Sequence, residues 1–466
     1  GTADEELDLS GAHLSYGDFE EATFQGKGVI KLDGAGLAHA DLRGSMVSAV
    51  GKQAQTIDFS GANLTNADLS GSEFTAESDG DRGERQDTAA DAGRGGRVSS
   101  LIDFTGADLA NADLRRSRFT ADSSNQARGS DDDDGGDAII DFTEANLAHA
   151  DLSDWTLTAD TKNNEYGDAI IDFENANLAF ADLSGSKLHA EGYYAATIDF
   201  TDADLANADL SGSRLKVDGW GNGPYATIDF ERANLSDADL SGSKLEADGN
   251  KATIDFTMAD LANADVSGSA LHAYTNYDGA TIDFEEAHLA NADLSGSWLT
   301  ATSRRGDTKI GFAKANLTNA DLSGSRLTAA PTGAYPDESS GVSTIDFTKA
   351  DLANTKLSGS MLTTGTAGSI IGLSPPLPPS SPPPSPSPPP PSPLPPSPSP
   401  PPSPPPSPSP PTLPPSLPPQ PPPAPPCTVE MLRQRPTGDK SWPIACSHTT
   451  LGTADEELDL SGAHLS

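Results

Sequence analysis

Large apolar residues recur at every fifth position along most of this 466-residue chain, a period that few backbone conformations can accommodate. In twelve blocks the first of them is Leu9, Leu32, Phe59, Phe104, Phe142, Phe173, Phe200, Phe230, Phe256, Phe284, Phe312 and Phe347, and three more follow each at plus five, plus ten and plus fifteen. The plus-five residue is Leu in all twelve. Two positions before each large residue stands a second, mostly small one, as with Ile57, Ala62, Ala67 and Ser72 in the block that begins at Phe59. A period of five matches neither a 3.6-residue helix nor an alternating strand. If each unit of five is one short side of a square coil, the large residue and the small one two before it both point inward, and the intervening Asp or Asn points out.

Four sides close one turn. Successive first residues are 23, 27, 45, 38, 31, 27, 30, 26, 28, 28 and 35 positions apart, so every turn carries extra residues, always after its fourth side. The insertions therefore leave from one corner and form a ridge, with the longest at Gly80 to Gly96 and Asp122 to Gly136. Solenoids often place their contacts on such a face.

The repeated Ala-(Asp/Asn)-Leu-x-x unit, as in Ala62-Asn63-Leu64 and Ala67-Asp68-Leu69, resembles the pentapeptide-repeat family over residues 7 to 362, in 48 five-residue units. The resemblance implies an all-β fold, a right-handed quadrilateral β-helix of about twelve coils with loops inserted at one corner. Layers stacked about 4.8 Å apart would give a rod roughly 55 Å long. Trp155 departs from the pattern: it stands where other blocks carry Ser72, Ser186 or Ser213, and is expected to flip out or distort its coil.

The repeats occupy residues 1–374, and the composition then changes abruptly. Residues 375–426 hold 34 Pro and 11 Ser, which excludes helix and sheet and predicts a polyproline II strut of about 3.1 Å per residue. Such a strut serves as an interdomain spacer or as a ligand for proline-binding domains. Its Ser-Pro-Pro-Pro runs are also similar to hydroxyproline-rich glycoproteins of green-algal and plant extracellular matrix. That resemblance implies hydroxylated, O-glycosylated prolines, with Pro382, Pro383, Pro384, Pro388, Pro389, Pro390, Pro404, Pro405 and Pro406 as candidate acceptors.

Residues 427–451 contain both cysteines, Cys427 and Cys446. Two cysteines in one short segment read as a disulfide that closes a small loop, which places the chain in an oxidising compartment. Residues 452–466 then repeat residues 1–15 without a change. This identity predicts one 451-residue period of a tandem chain and the start of the next; a duplication by cloning design is the alternative. On the tandem reading, the segment with Met431, Leu432, Trp442 and Ile444 is expected to cap the open first coil of the rod that follows.

The 69 acidic against 29 basic residues give a net charge of −40, which disfavours nucleic acid and anionic membranes as partners and favours cations and basic proteins. No apolar run is long enough to span a membrane, and no basic-then-apolar segment opens the sequence, so any targeting signal is expected elsewhere. Outward Asp residues precede the first large residue in ten of the twelve blocks, among them Asp58, Asp103, Asp141, Asp172, Asp199, Asp229, Asp255 and Asp283, and the third large residue in eleven, from Asp18 to Asp321. Neighbouring carboxylates at ladder spacing repel by about 0.9 kcal/mol in water and about 3.5 at an effective dielectric of 20. They either solvate the face and brace local backbone or bind calcium, the one metal expected here. The loop Asp131 to Asp134 with Gly135 and Gly136 hints at a calcium loop, but Phe142 stands where the twelfth-position acid belongs. Asn63, Asn234 and Asn316 each open an N-glycosylation sequon that the repeat itself also generates.

The eight histidines assemble no site, and neither a nucleophile elbow nor a phosphate loop appears. These features predict a non-enzymatic structural glycoprotein without a catalytic cofactor: an extracellular unit of a cell-wall or appendage fibre resembling green-algal mastigonemes, with further copies of itself and neighbouring fibre proteins as partners. The alternatives are inhibition of a topoisomerase by DNA mimicry, known among pentapeptide-repeat proteins, and an adhesive or calcium-binding surface.

Overall fold

The computed structural model describes residues 6–51, 54–78, 98–123, 136–161, 167–219, 225–331, 341–365 and 368–373, together with the backbone of 444–445 and 450–451. Among these the fold is all-β, with strands as short as the five-residue unit demands. Two sheets of 13 parallel strands each form opposite borders of the inserted corner. The first face runs from Leu7–Asp8 through Gln55–Asp58 and Ala195–Asp199 to Ser369–Ile371. The fourth face runs from Thr23–Gly26 through Glu73–Ser78 and Arg214–Gly219 to Met361–Thr364. Single-residue parallel bridges make the second face, through His13, Gly36, Asn63 and Asp108, and the third, through Asp18, Asp41, Asp68 and Asp113. The fold is thus the quadrilateral β-helix of the repeat pattern.

Register is held by identical residues from coil to coil. Ile198 pairs Ile228 and Asp199 pairs Asp229 on the first face, and Leu215 pairs Leu245 on the fourth. Both inward positions are buried: in the coil from Ile57 to Phe74, the large and small residues are 1% exposed or less. From Phe173 to Phe284 the first-face rings stack with centroids 4.8 Å apart and planes within 2° of parallel, so the ring spacing equals the strand spacing.

Three corners of each coil are tight turns. The Ala62 N–H donates to the Phe59 carbonyl and the Ala67 N–H to the Leu64 carbonyl, both at 2.9 Å, with positive φ at Gly61 (61°) and Asn66 (56°). A turn with positive φ at its third residue is the type II form, which favours Gly or Asn there. Many coils meet this with Gly or Asn, yet Arg232, Met258 and Glu286 hold the same conformation, at φ of 58°, 60° and 60°. The fourth corner, between Glu73–Ser78 and Val98–Asp103 and its equivalents, carries the insertions, as the spacing predicts. Most of Gly80 to Gly96 and Asp122 to Gly136 lies outside the described residues.

Trp155 corrects an expectation, because it neither flips out nor breaks its coil. It is fully buried, with ring centroids 5.3 Å from Phe119 and Phe142 and 6.3 Å from Phe173, edge to face. Three rings of the core surround it, so a large ring filling a serine position gains contacts there that it would lose outside. Its indole Nε1 has no hydrogen-bond partner.

Both short C-terminal strands lie against the first coil. Ile444–Ala445 pairs Gly17–Asp18 in parallel, and Thr450–Leu451 pairs Thr23–Phe24 as the outermost strand of the fourth-face sheet. Of the segment expected to cap a following rod, only these two strands are described, and they pair with the first coil of this chain; Met431, Leu432 and Trp442 lie outside the described residues. Residues 374–443 and 446–449, with Cys427, Cys446 and the candidate prolines of the strut, and residues 452–466 lie outside the described residues.

Candidate functional site

The outward Asp positions come together as two continuous ladders on opposite faces of the square coil. On the first face Asp58, Asp103, Asp141, Asp172, Asp199, Asp229, Asp255 and Asp283 are consecutive register partners, interrupted next by Gly311. On the third face the bridges run without interruption from Asp18 through Asp151, Asp209 and Asp265 to Asp321, and end at Lys356.

Most of these carboxylates have a local task. The Asp58 Oδ1 accepts from both the backbone N–H and the hydroxyl of Ser60, at 2.9 and 2.6 Å, and Asp68 receives the same pair from Ser70, at 3.0 and 2.7 Å. Asp199, Asp229 and Asp239 accept the N–H two residues on at 2.8 Å. Each bond braces the turn that follows, the habit that favours Asp and Asn at turn starts. One oxygen is thereby committed, so the ladders are built first by folding and only then offered to a partner.

Burial and local hydrogen bonds pull individual carboxylates in opposite directions. Burial, then the neighbours Asp199, Asp255 and Glu231, pushes the Asp229 carboxyl up to about 6 against an opposing backbone hydrogen bond. Burial likewise raises Asp103 and Asp283, although Lys309 Nζ sits 2.7 Å from the latter. On the third face Asp321 is held down, at about 2, chiefly by hydrogen bonds from Lys356 and Ser323. Arginines bridge other rungs: Arg43 bonds Asp41 at 2.6 Å and lies 3.7 Å from Asp68, and Arg115 bonds Asp113 at 2.5 Å and lies 3.3 Å from Asp151.

Two groups that the sequence pattern does not single out converge here. His189, Glu191 and Asp218 offer ligand atoms within 4.8 Å of one another, as do Asp18, Glu20 and Asp41. In the first group the His189 Nε2 is 2.9 Å from Asp218 Oδ2, and Lys216 Nζ bonds that same oxygen. Burial opposes the charge on Asp218, but these two hydrogen bonds bring its carboxyl below the usual range. A lysine already fills the place of a cation there. In the second group Arg43 occupies Asp41 and reaches Glu20 at 3.4 Å. Position in the repeat reveals each residue, but not the side-chain reach that joins neighbouring coils.

Among the described residues, the other histidines are partly or fully exposed. His288 Nδ1 lies 3.0 Å from Asp260, and His39 and His149 stack on Tyr16 and Phe180 at the turn corners. The sequon residues Asn63, Asn234 and Asn316 all fall on the second face. Asn63 is exposed, and its Oδ1 accepts from the Thr65 N–H and hydroxyl; the Asn234 Nδ2 donates to Asp204 at 2.9 Å. Among the described residues, no helix is long and apolar enough to cross a membrane.

The family model for pentapeptide repeats matches the chain in eight copies, at residues 57–76 and 100–121. Among solved structures, the chain is similar to HetL, a pentapeptide repeat protein involved in heterocyst differentiation regulation from the cyanobacterium Nostoc sp. strain PCC 7120. The identity is 18% over 76% of this chain and 89% of that one, with a TM-score of 0.21. It is also similar to QnrB1, described as a plasmid-mediated fluoroquinolone resistance protein. A trypsin-treated form matches at 16% identity over 57% of this chain and 89% of that one, with a TM-score of 0.16. The full-length form matches at 14% identity over 57% and 91%, with a TM-score of 0.14. No curated protein matches.

Proposed function

We propose that this chain, a pentapeptide-repeat protein, is a non-catalytic structural unit of an extracellular filament, in which stacked β-rods alternate with proline-rich struts. One relationship carries this reading. Residues 444–445 and 450–451 extend the ladder of the first coil, and the sequence that follows them, 452–466, is the start of that same coil repeated. A segment that adds to a coil, followed by a second copy of the coil's beginning, is the order expected of units joined end to end. The ridge of corner insertions gives each unit an irregular face for lateral partners, including neighbouring fibre proteins and further copies.

On this reading residues 375–426 are hydroxylated and glycosylated, Cys427 and Cys446 are joined, and the fibre belongs to a cell wall or a mastigoneme-like appendage. Mass spectrometry of native material tests it directly. Hydroxyproline bearing pentose across 375–426, with a cysteine pair that resists alkylation until reduced, is the expected result. Unmodified proline and two free thiols would overturn it.

The unbroken third-face ladder from Asp18 to Asp321 favours a second reading, a rod that presents regularly spaced negative charge to a DNA-binding surface. A gyrase supercoiling assay separates the two. Inhibition at stoichiometric concentration would support mimicry; full supercoiling at large excess would remove it. Calcium binding by the same carboxylates predicts a melting temperature that rises with millimolar calcium beyond an ionic-strength control.

A further inference from the structure

A β-helix has two ends at which backbone groups lack a neighbouring coil, and such edges invite pairing with other chains. Along the third and fourth faces the outward residue of each coil donates its N–H to the coil before it: the Asp41 N–H reaches the Gly17 carbonyl and the Met46 N–H the Ala22 carbonyl, both at 2.8 Å. The matching donors of the first coil are the N–H groups of Asp18 and Thr23. Among the described residues no coil of the repeat precedes them, and their register partners are Ala445 and Thr450. The next pair in register sets Leu451 opposite Phe24, a core residue 2% exposed. Leu451 thus holds the register position of a large inward residue, as the five-residue pattern would require of a true coil.

The spacing agrees independently. Because 452–466 repeats 1–15, residue 17 of a following copy would be position 468, which is 24 after Ile444, and residue 23 would be position 474, which is 24 after Thr450. Leu9 and Leu32 are 23 apart. The segment is therefore separated from the coil it would precede by one ordinary turn on both sides at once. A strand attached by chance would match neither the residue type nor the turn length.

We propose that Ile444–Ala445 and Thr450–Leu451 are added third- and fourth-side strands of the β-helix ahead of its first coil, and that in a single chain they close that edge. The closure in one chain follows from the pairing alone, while the place of these strands one turn before a further copy rests on the filament reading. Hydrogen exchange of the full-length chain tests it, read at the amides of Asp18 and Thr23. Exchange there should be at least tenfold slower than in Thr450→Pro and Leu451→Asp, while the mid-rod amide of Phe200, bonded to the Asp229 carbonyl at 2.7 Å, stays equally protected in all three. Equal exchange at Asp18 and Thr23 in parent and variants would overturn the closure. So would protection that appears only as protein concentration is raised, because the seat would then be filled by a second copy.

Discussion

Trp155 meets Phe142 edge to face with ring centroids 5.3 Å apart, inside a coil whose equivalents, apart from the first with Ala22, hold a serine at that position. The tryptophan packs against Phe119, Phe142 and Phe173, so returning it to the repeat's usual residue removes those contacts. Trp155→Ser is expected to destabilise the rod by about 3–5 kcal/mol, the range for emptying a large aromatic site. Chemical denaturation checks this. A neutral or stabilising change would mean that Trp155 is accommodated under strain.

The corner residues give a prediction that runs against ordinary preferences for side chains. Met258 is held at a φ of 60° and is half exposed, so its side chain contributes little packing while its backbone sits in the left-handed region. Met258→Gly is expected to stabilise the rod by about 1 kcal/mol, and Met258→Val to destabilise it by a similar amount. Thermal melts of the two variants beside the parent decide it, because the ranking would reverse if the corner relaxed out of positive φ.

Much of this architecture is legible from spacing alone. The five-residue period gives four sides, the second inward position gives the small core residues, and surplus length gives the corner of the insertions. Trp155 departs from its expected place because a repeat assigns a size to a position, whereas packing is shared across coils, here with Phe119, Phe142 and Phe173. The Asp ladders are legible both as positions and as braces of local backbone, of which the bond from the Ser60 N–H to Asp58 is one. The group of His189, Lys216 and Asp218 was hidden because its members come from two coils.

Charge in the third-face ladder can be removed without its local hydrogen bond. Asp239 accepts the Ser241 N–H at 2.8 Å and is flanked by Asp209 and Asp265. Asp239→Asn keeps an acceptor oxygen and deletes one repelling charge, so it is expected to raise the melting temperature at low ionic strength. The gain should shrink as salt is added, because screening already relieves the repulsion in the parent. A gain independent of salt would assign the effect to hydrogen bonding instead.

Asp229 and Asp321 set opposite pH dependences, and their windows do not coincide. Asp229 is pushed up to about 6 from 3.8 by burial and by its acidic neighbours, so the folded rod binds that proton more tightly than the unfolded chain. Its contribution is fully present below 3.8 and is lost as pH rises through about 6. Asp103 and Asp283 act in the same direction. Asp321 is depressed from 3.8 to about 2 by Lys356 and Ser323, so its contribution is present above 3.8 and is lost as pH falls towards 2. Stability should therefore rise on mild acidification from pH 7, reach its maximum near the ordinary carboxylate range, and fall below it. Asp229→Asn, neutral at every pH, should flatten the upper limb of that curve and leave the lower limb unchanged. A parent whose melting temperature falls steadily from pH 7 to 4 would show that the first-face carboxylates are not buried enough to favour their protons.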